Sequence, residues 1–234
     1  MKKLFALLVC LLLANLIFAG DAAVFDDIGF SQDGKTYIFG QYGKTDKTYK
    51  AWAEIYTVDV EKNDYVKGEV YKSNANASDE SSGKRNYENF KESLEWKLAK
   101  YNAKPANAKT LLFLRETEKK SPTDEIVFKD FESSSESQSI YFHIKLVPTY
   151  EGKGKNVMSK YYIDVKRLDQ NNSVLSSWKI GTPYLKRKGI TSYQIDKIFT
   201  DDSGKSLVFI IQKTLEDDKG TSIRYMVETF RMED

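Results

Sequence analysis

The chain has little of what most enzyme active sites are made from. It holds one cysteine, one histidine and four prolines in 234 residues. The cysteine, Cys10, lies inside an apolar run at the amino terminus and is followed by Leu11 to Leu13. It fills an apolar position; a lipid-bearing cysteine would follow the apolar region. Once that segment is removed, nothing is left to form a disulfide, a thiol nucleophile or a cysteine metal site. A single histidine, His143, excludes a multi-histidine zinc centre. As a general base it would need a positioned partner, and "SIYFHIKLV" marks none. His143 reads as a surface residue of a strand, on the face of Tyr141 and Lys145. An excess of one charge is missing too. The chain has 36 Lys+Arg and 34 Asp+Glu, and loss of Lys2 and Lys3 with the first twenty residues leaves 34 of each. A nucleic-acid binder normally carries a basic excess on one face. The densest basic run, Lys186, Arg187 and Lys188, reads as a solvated loop. After the first twenty residues no stretch is long and apolar enough to span a bilayer.

What is present begins with that apolar amino terminus. Lys2 and Lys3 precede a run from Leu4 to Phe18 broken only by Asn15, and small residues follow at Ala19, Gly20 and Ala22. Charged, apolar and small regions in that order make a secretory signal. The run is too short for a membrane-spanning helix of roughly 20 residues, and Asp21, Asp26 and Asp27 stop its extension. Residues 1–20 are therefore expected to be a cleavable signal peptide, and the remainder a soluble protein of the periplasm or the exterior.

Residues 21–234 read as a single, mainly β domain. The whole chain's fifteen tyrosines and thirteen phenylalanines favour strands. Tyr56, Val58 and Val60 alternate, as do Ile140, Phe142, Ile144 and Leu146, and Tyr161, Ile163 and Val165; period two means a strand buried on one side. The last two sets flank the turn-rich "VPTYEGKGKNVMSK" and predict an antiparallel hairpin. Further strands are expected near 25–30, 36–41, 111–118, 125–131, 174–180, 194–200, 206–213 and 222–231. One segment has the helical period: Tyr87, Phe90, Leu94, Leu98 and Tyr101 fall on one stripe, predicting a packed amphipathic helix over 85–104, closed by Pro105. The small, polar 73–84 predicts a flexible segment.

Two segments repeat. "DDIGFSQDGKTYIF" (26–39) matches "DKIFTDDSGKSLVF" (196–209) at an offset of 170, and "AEIYTVDV" (53–60) matches "SIRYMVET" (222–229) at 169, with Tyr56 on Tyr225 and Val58 on Val227. Each unit predicts strand, glycine turn, strand, loop, strand. Gly29, Gly34, Lys35 and Thr36 also satisfy the phosphate-loop pattern G-x-x-x-x-G-K-[ST]. That loop must open a helix, whereas "TYIFG" reads as a strand, Asp33 would repel phosphate, and the second copy has Phe199 at the first glycine. The acidic loops "FTDDSG" (199–204) and "LEDDKG" (215–220) lack the spacing of a calcium loop and serve turns and solubility. No catalytic, cofactor or metal residues are assigned.

"IGFSQDGKTYIFGQYG", "AEIYTVDV" and "IRYMVETFRM" resemble an uncharacterised bacterial family described as predicted secreted proteins. The resemblance implies export and a shared fold, and no activity. "FSQDGK…F…IYTVDV" is also similar to a blade of the TolB-type β-propellers, although only two such units are visible. The expected architecture is an antiparallel sandwich- or barrel-like assembly, or propeller-related meanders, with one packed helix. The expected function is a non-enzymatic binding or interaction module of the cell envelope, with an envelope protein or polymer as partner. The alternative is a hydrolase of envelope polymers working through two carboxylates.

Overall fold

The apolar alternation sorts the chain into three largely antiparallel sheets. The computed structural model describes residues 21–45, 48–73, 83–116, 125–218 and 220–232. The expected signal, 1–20, and the expected flexible segment apart from Ser73, Gly83 and Lys84 lie outside the described residues. A short β1 (Asp21–Ala22) leads into a first sheet of β2 (Val24–Phe30), β3 (Thr36–Lys44), β4 (Ala51–Asp59) and β5 (Asp64–Lys72). A helical segment and β6 (Leu111–Leu114) follow. The second sheet is β7 (Glu125–Lys129), β8 (Ile140–Glu151), β9 (Met158–Asp169) and β10 (Val174–Ile180), with β11 (Arg187–Lys188) also on β9. The third is β12 (Ile190–Thr200), β13 (Ser206–Asp217) and β14 (Gly220–Arg231), edged by β6 on β12 and by β1, parallel, on β14.

The last sheet in sequence is the middle layer in space. Ile198, Leu207, Phe209 and Ile211 pack with Ile144, Tyr161, Ile163 and Val165 of the second sheet. On the opposite face Phe199, Val208, Ile210 and Val227 pack with Phe30, Tyr37, Phe39 and Val58 of the first. Burial on both faces explains why "LVFII" of β13 is a continuous apolar run and not an alternating one. The expected central hairpin is present as β8 and β9, paired from Ile140–Asp169 to Glu151–Met158, so its strands run deep into the stretch read as a loop. The strand β5 has no counterpart among the expected strands. It is an edge strand carrying four charged residues and Gly68 at φ 79°, so its apolar pattern is faint.

The expected helix over 85–104 is broken. It forms α1 (Gly83–Ser93), α2 (Glu95–Leu98) and a 3-10 turn, Ala99–Tyr101. The Ser93 hydroxyl donates back to the Phe90 carbonyl at 2.7 Å, a competing bond that bends helices, and the ladder restarts at Leu94. The chain then leaves through Asn102 at φ 45°. The apolar stripe itself holds: Tyr87, Leu94 and Leu98 are buried on Ile38, Ala53 and Ile55 of the first sheet, and Phe90 and Tyr101 pack beside them.

Both glycine segments are strand–turn–strand hairpins. Gly34 and Gly204 take φ 66° and 68°, and their N–H groups donate to the carbonyls of Ser31 and Asp201 at 2.9 and 3.0 Å. Thr36 begins a strand, so the phosphate-loop pattern sits on a β-turn. The third strands align differently from the sequence match. Thr36 pairs with Asp59 and Ser206 with Arg231, an offset of 172 and not 169. Tyr56 thus corresponds in position to Glu228. A three-residue shift reverses the face, so the match of Val58 to Val227 joins residues on opposite sides of their sheets.

A candidate ligand groove beside the helices

The helical segment is held on the face of the first sheet by a few specific contacts. Gly40 has no side chain, and a Cβ there would lie 2.0 Å from the Tyr87 hydroxyl oxygen, so Tyr87 can lie flat on β3. That hydroxyl donates to Asp26 at 2.5 Å, and the Lys91 ammonium joins the same carboxylate at 2.7 Å. Burial first, and then the Asp26 carboxylate, push the Tyr87 hydroxyl pKa up. Past Asn102 the chain crosses β2 at Gly29, where Phe30 and Lys104 exchange backbone hydrogen bonds of 3.1 and 2.9 Å. A Cβ on Gly29 would overlap the Lys104 carbonyl oxygen at 1.7 Å, and only glycine fits that crossing.

Between the helices, β2 and the returning chain lies a groove of about 550 Å3. Its floor and far wall are Ile28, Ile38, Leu98, Ala99 and Ala103. Its rim carries Glu88, Glu92 and Glu95, with Lys91 and Asn102. Lys91 is already engaged by Asp26 and Glu88 by Lys84 at 3.7 Å, which leaves Glu92 and Glu95 to make the rim acidic. The volume falls within the usual range for small-molecule sites. Glu88 and Glu92, four apart, share one face of α1, and Glu95 at the start of α2 lines the same groove. Like charges at that spacing cost a helix a few tenths of a kcal/mol per pair. Sequence reasoning found the apolar stripe and missed this acidic stripe beside it, although the same period carries both.

Several carboxylates elsewhere are committed to structure. Two smaller cavities, about 190 and 150 Å3, lie at the glycine-turn end of the sheets and share Asp201. Asp201 accepts the Ser206 N–H at 2.8 Å and the Ser203 hydroxyl at 2.6 Å. Asp130, in the larger cavity, pairs with Arg167 at 2.9 Å. Asp26 and Asp27 are adjacent in sequence but serve opposite sides of β2. Asp26 ties down α1, while Asp27 accepts the Ala106 N–H at 2.6 Å and the Tyr37 hydroxyl at 2.8 Å. Burial raises the Asp27 pKa above the usual carboxylate range, against the lowering effect of those two bonds.

The other residues singled out in the sequence are dispersed. His143 stands on β8 with Nδ1 3.3 Å from the Glu125 carboxylate. Lys186 pairs with Glu151 at 2.9 Å. Arg187 is not a solvated loop residue as expected. It forms β11 on β9, half-buried, with its guanidinium 5.0 Å over the Tyr161 ring. Gly220 closes the second acidic loop at φ 131°, and Asp218 pairs with Lys155 at 2.5 Å.

Three stacked meanders define a mainly β protein, and among the described residues no helix is long and apolar enough to cross a membrane. Comparison of the sequence with known families matches residues 38–231 to the family described as "Predicted secreted protein (DUF2259)", and the chain belongs to that family. Membership makes it an exported protein and carries no activity. No curated protein matches the chain, and no solved structure matches it.

Proposed function

We propose that the protein leaves the cytoplasm on a signal peptide ending near residue 20 and works in the cell envelope as a non-catalytic binding module. The groove between α1, α2 and β2 is its ligand site. The observation that carries this reading is an open apolar floor beside Glu92 and Glu95, with the Lys91 ammonium held by Asp26 and that of Lys84 by Glu88 at 3.7 Å. The ligand that fits is a small apolar body bearing a positive charge. Each carboxylate–ammonium contact at a surface contributes about 0.2–1 kcal/mol, so two predict roughly tenfold preference for the cation. Titration calorimetry with octylammonium, octanoate and octanol tests it. Octylammonium should bind about tenfold more tightly than the other two, and the Glu92→Gln/Glu95→Gln protein should lose the preference. Equal binding of octanoate, or no binding of any of the three, would end the proposal. We also read hairpins 26–39 and 196–209 as copies of one unit, supported by their matching turn geometry.

A further inference from the structure

A second site lies away from the groove, where the three sheets meet around β13 and β14. Lys213 on β13 is flanked in register by Tyr193 on β12 and Arg224 on β14, so all three side chains share the face turned to the second sheet. From that sheet comes Arg187, stacked on Tyr161. Its guanidinium donates to neutral acceptors only, the Leu185 carbonyl at 3.4 Å and the Thr182 hydroxyl at 3.0 Å. Neither Arg187 nor Lys213 has a carboxylate within ion-pair distance among the described residues. The neighbouring charges are spoken for. Arg224 pairs with Asp21, and Lys72 with Glu54 at 3.0 Å. Glu228, buried, accepts the Tyr161 hydroxyl and the Asn63 amide at 2.5 Å each. From the first sheet Tyr65 reaches the same place, 42% exposed.

Two groups there, Tyr65 and Lys213, are partly exposed and yet have lost much of their hydration. Loss of hydration lifts the Tyr65 hydroxyl to about 12, with Glu228 and Glu54 adding and Arg187 opposing. It lowers the half-buried Lys213 ammonium to about 8, with Arg187, Arg224 and Lys72 pushing the same way and Glu54 opposing. Two half-buried cations without counter-ions outweigh the single buried carboxylate of Glu228. A protein tolerates an unpaired, partly desolvated ammonium poorly, and an arriving anion supplies the missing partner.

We propose that Arg187 and Lys213, with the Tyr65 hydroxyl, form a binding recess for a small anion bearing a carboxylate or phosphate group. The guanidinium supplies paired N–H donors and the ammonium a point charge. The site is independent of the groove, since none of its residues lines that cavity. The test is thermal unfolding and calorimetry of the protein with inorganic phosphate and with succinate at constant ionic strength, beside sedimentation with phosphatidylglycerol vesicles. Phosphate or succinate should raise the melting temperature of the wild type. Arg187→Gln and Lys213→Met should each weaken binding at least tenfold. Lys213→Met without ligand should melt no lower than the wild type, because it removes an uncompensated charge; that result also reports that the variant folds. Binding should weaken as pH rises from 7 to 9, as Lys213 loses its proton. Binding to phosphate alone identifies a solute site, and vesicle binding lost in both variants identifies a phosphate headgroup. No binding to any of the three, or full binding by the Arg187→Gln/Lys213→Met protein, overturns the proposal.

Discussion

In the hairpin between β2 and β3, the Ser31 hydroxyl donates to Asp33 at 2.6 Å and accepts the Thr36 N–H at 3.0 Å, while Asp33 accepts the Lys35 N–H. In the hairpin between β12 and β13, Ser203 donates to Asp201 at 2.6 Å, Asp201 accepts the Ser206 N–H, and Ser203 accepts the Lys205 N–H. Serine and aspartate have changed places, and the hydrogen-bond net is the same. The turn requires an oxygen acceptor at its first and third positions and one hydroxyl proton between them. It does not require either residue in a given place. The surroundings are what differ. The first turn rests on the second: Ser206 donates to the Gly34 carbonyl at 2.8 Å, and Arg231 reaches the Asp33 carbonyl at 3.2 Å. The second rests against Glu132 of the β7–β8 turn.

The largest test of that contrast is at the glycines. A Cβ on Gly34 would lie 2.2 Å from the Asp201 carboxylate, which two hydrogen bonds hold in place, whereas a Cβ on Gly204 would meet only the flexible Glu132 side chain at 2.7 Å. Both positions carry the strain of positive φ. Gly34→Ala should cost about 3 kcal/mol and Gly204→Ala about 1 kcal/mol, read from urea unfolding. Similar losses would mean that the stacking of the turns contributes little. The exchange itself is tested next. Ser31→Asp sets two carboxylates against each other and should cost roughly 1–2 kcal/mol at pH 7. That loss should shrink toward pH 4, and the double exchange Ser31→Asp/Asp33→Ser should recover most of it.

Ser206→Ala should cost about 1 kcal/mol, because the buried Gly34 carbonyl loses its donor. Its counterpart change, Thr36→Val, should stay within about 0.5 kcal/mol, since no side-chain hydrogen bond to Thr36 Oγ1 is present among the described residues. The smallest effect is electrostatic. The Ser31 hydroxyl and then the Lys35 N–H hold the Asp33 carboxyl below its usual range. A depressed carboxylate stabilises the fold above the unfolded value of about 3.9, and the contribution disappears as pH falls through the lower folded value. Asp33→Asn should therefore flatten the acid limb of the stability–pH curve below about pH 4, and leave the pH 6–8 region parallel to the wild type.

Local signals carried much of the fold. Alternation located most strands, because a half-buried pleat needs it, and the Tyr87–Leu98 stripe located the helix. Its break escaped notice because a serine back-bond leaves no mark on apolar periodicity. The strand β5 escaped because an edge strand covered in charge resembles a loop. The groove was half legible. Its acidic rim follows the helical period, but its floor joins Ile28 and Ile38 to Ala103 across more than sixty residues. Arg187 lay in a basic run, and only the pairing of β11 with β9 turns it inward.

Composition alone settled the dominance of strands, and the glycine pairs settled where the chain turns back. Those are local properties, fixed by side-chain stereochemistry and by counting. The order of the layers was decided elsewhere. The last sheet became the middle layer because "LVFII" must be covered on both faces, and nothing in its own segment says by what. The positions of the groove and of the unpaired cations follow from that stacking, since each is made by residues that meet only after the sheets have packed.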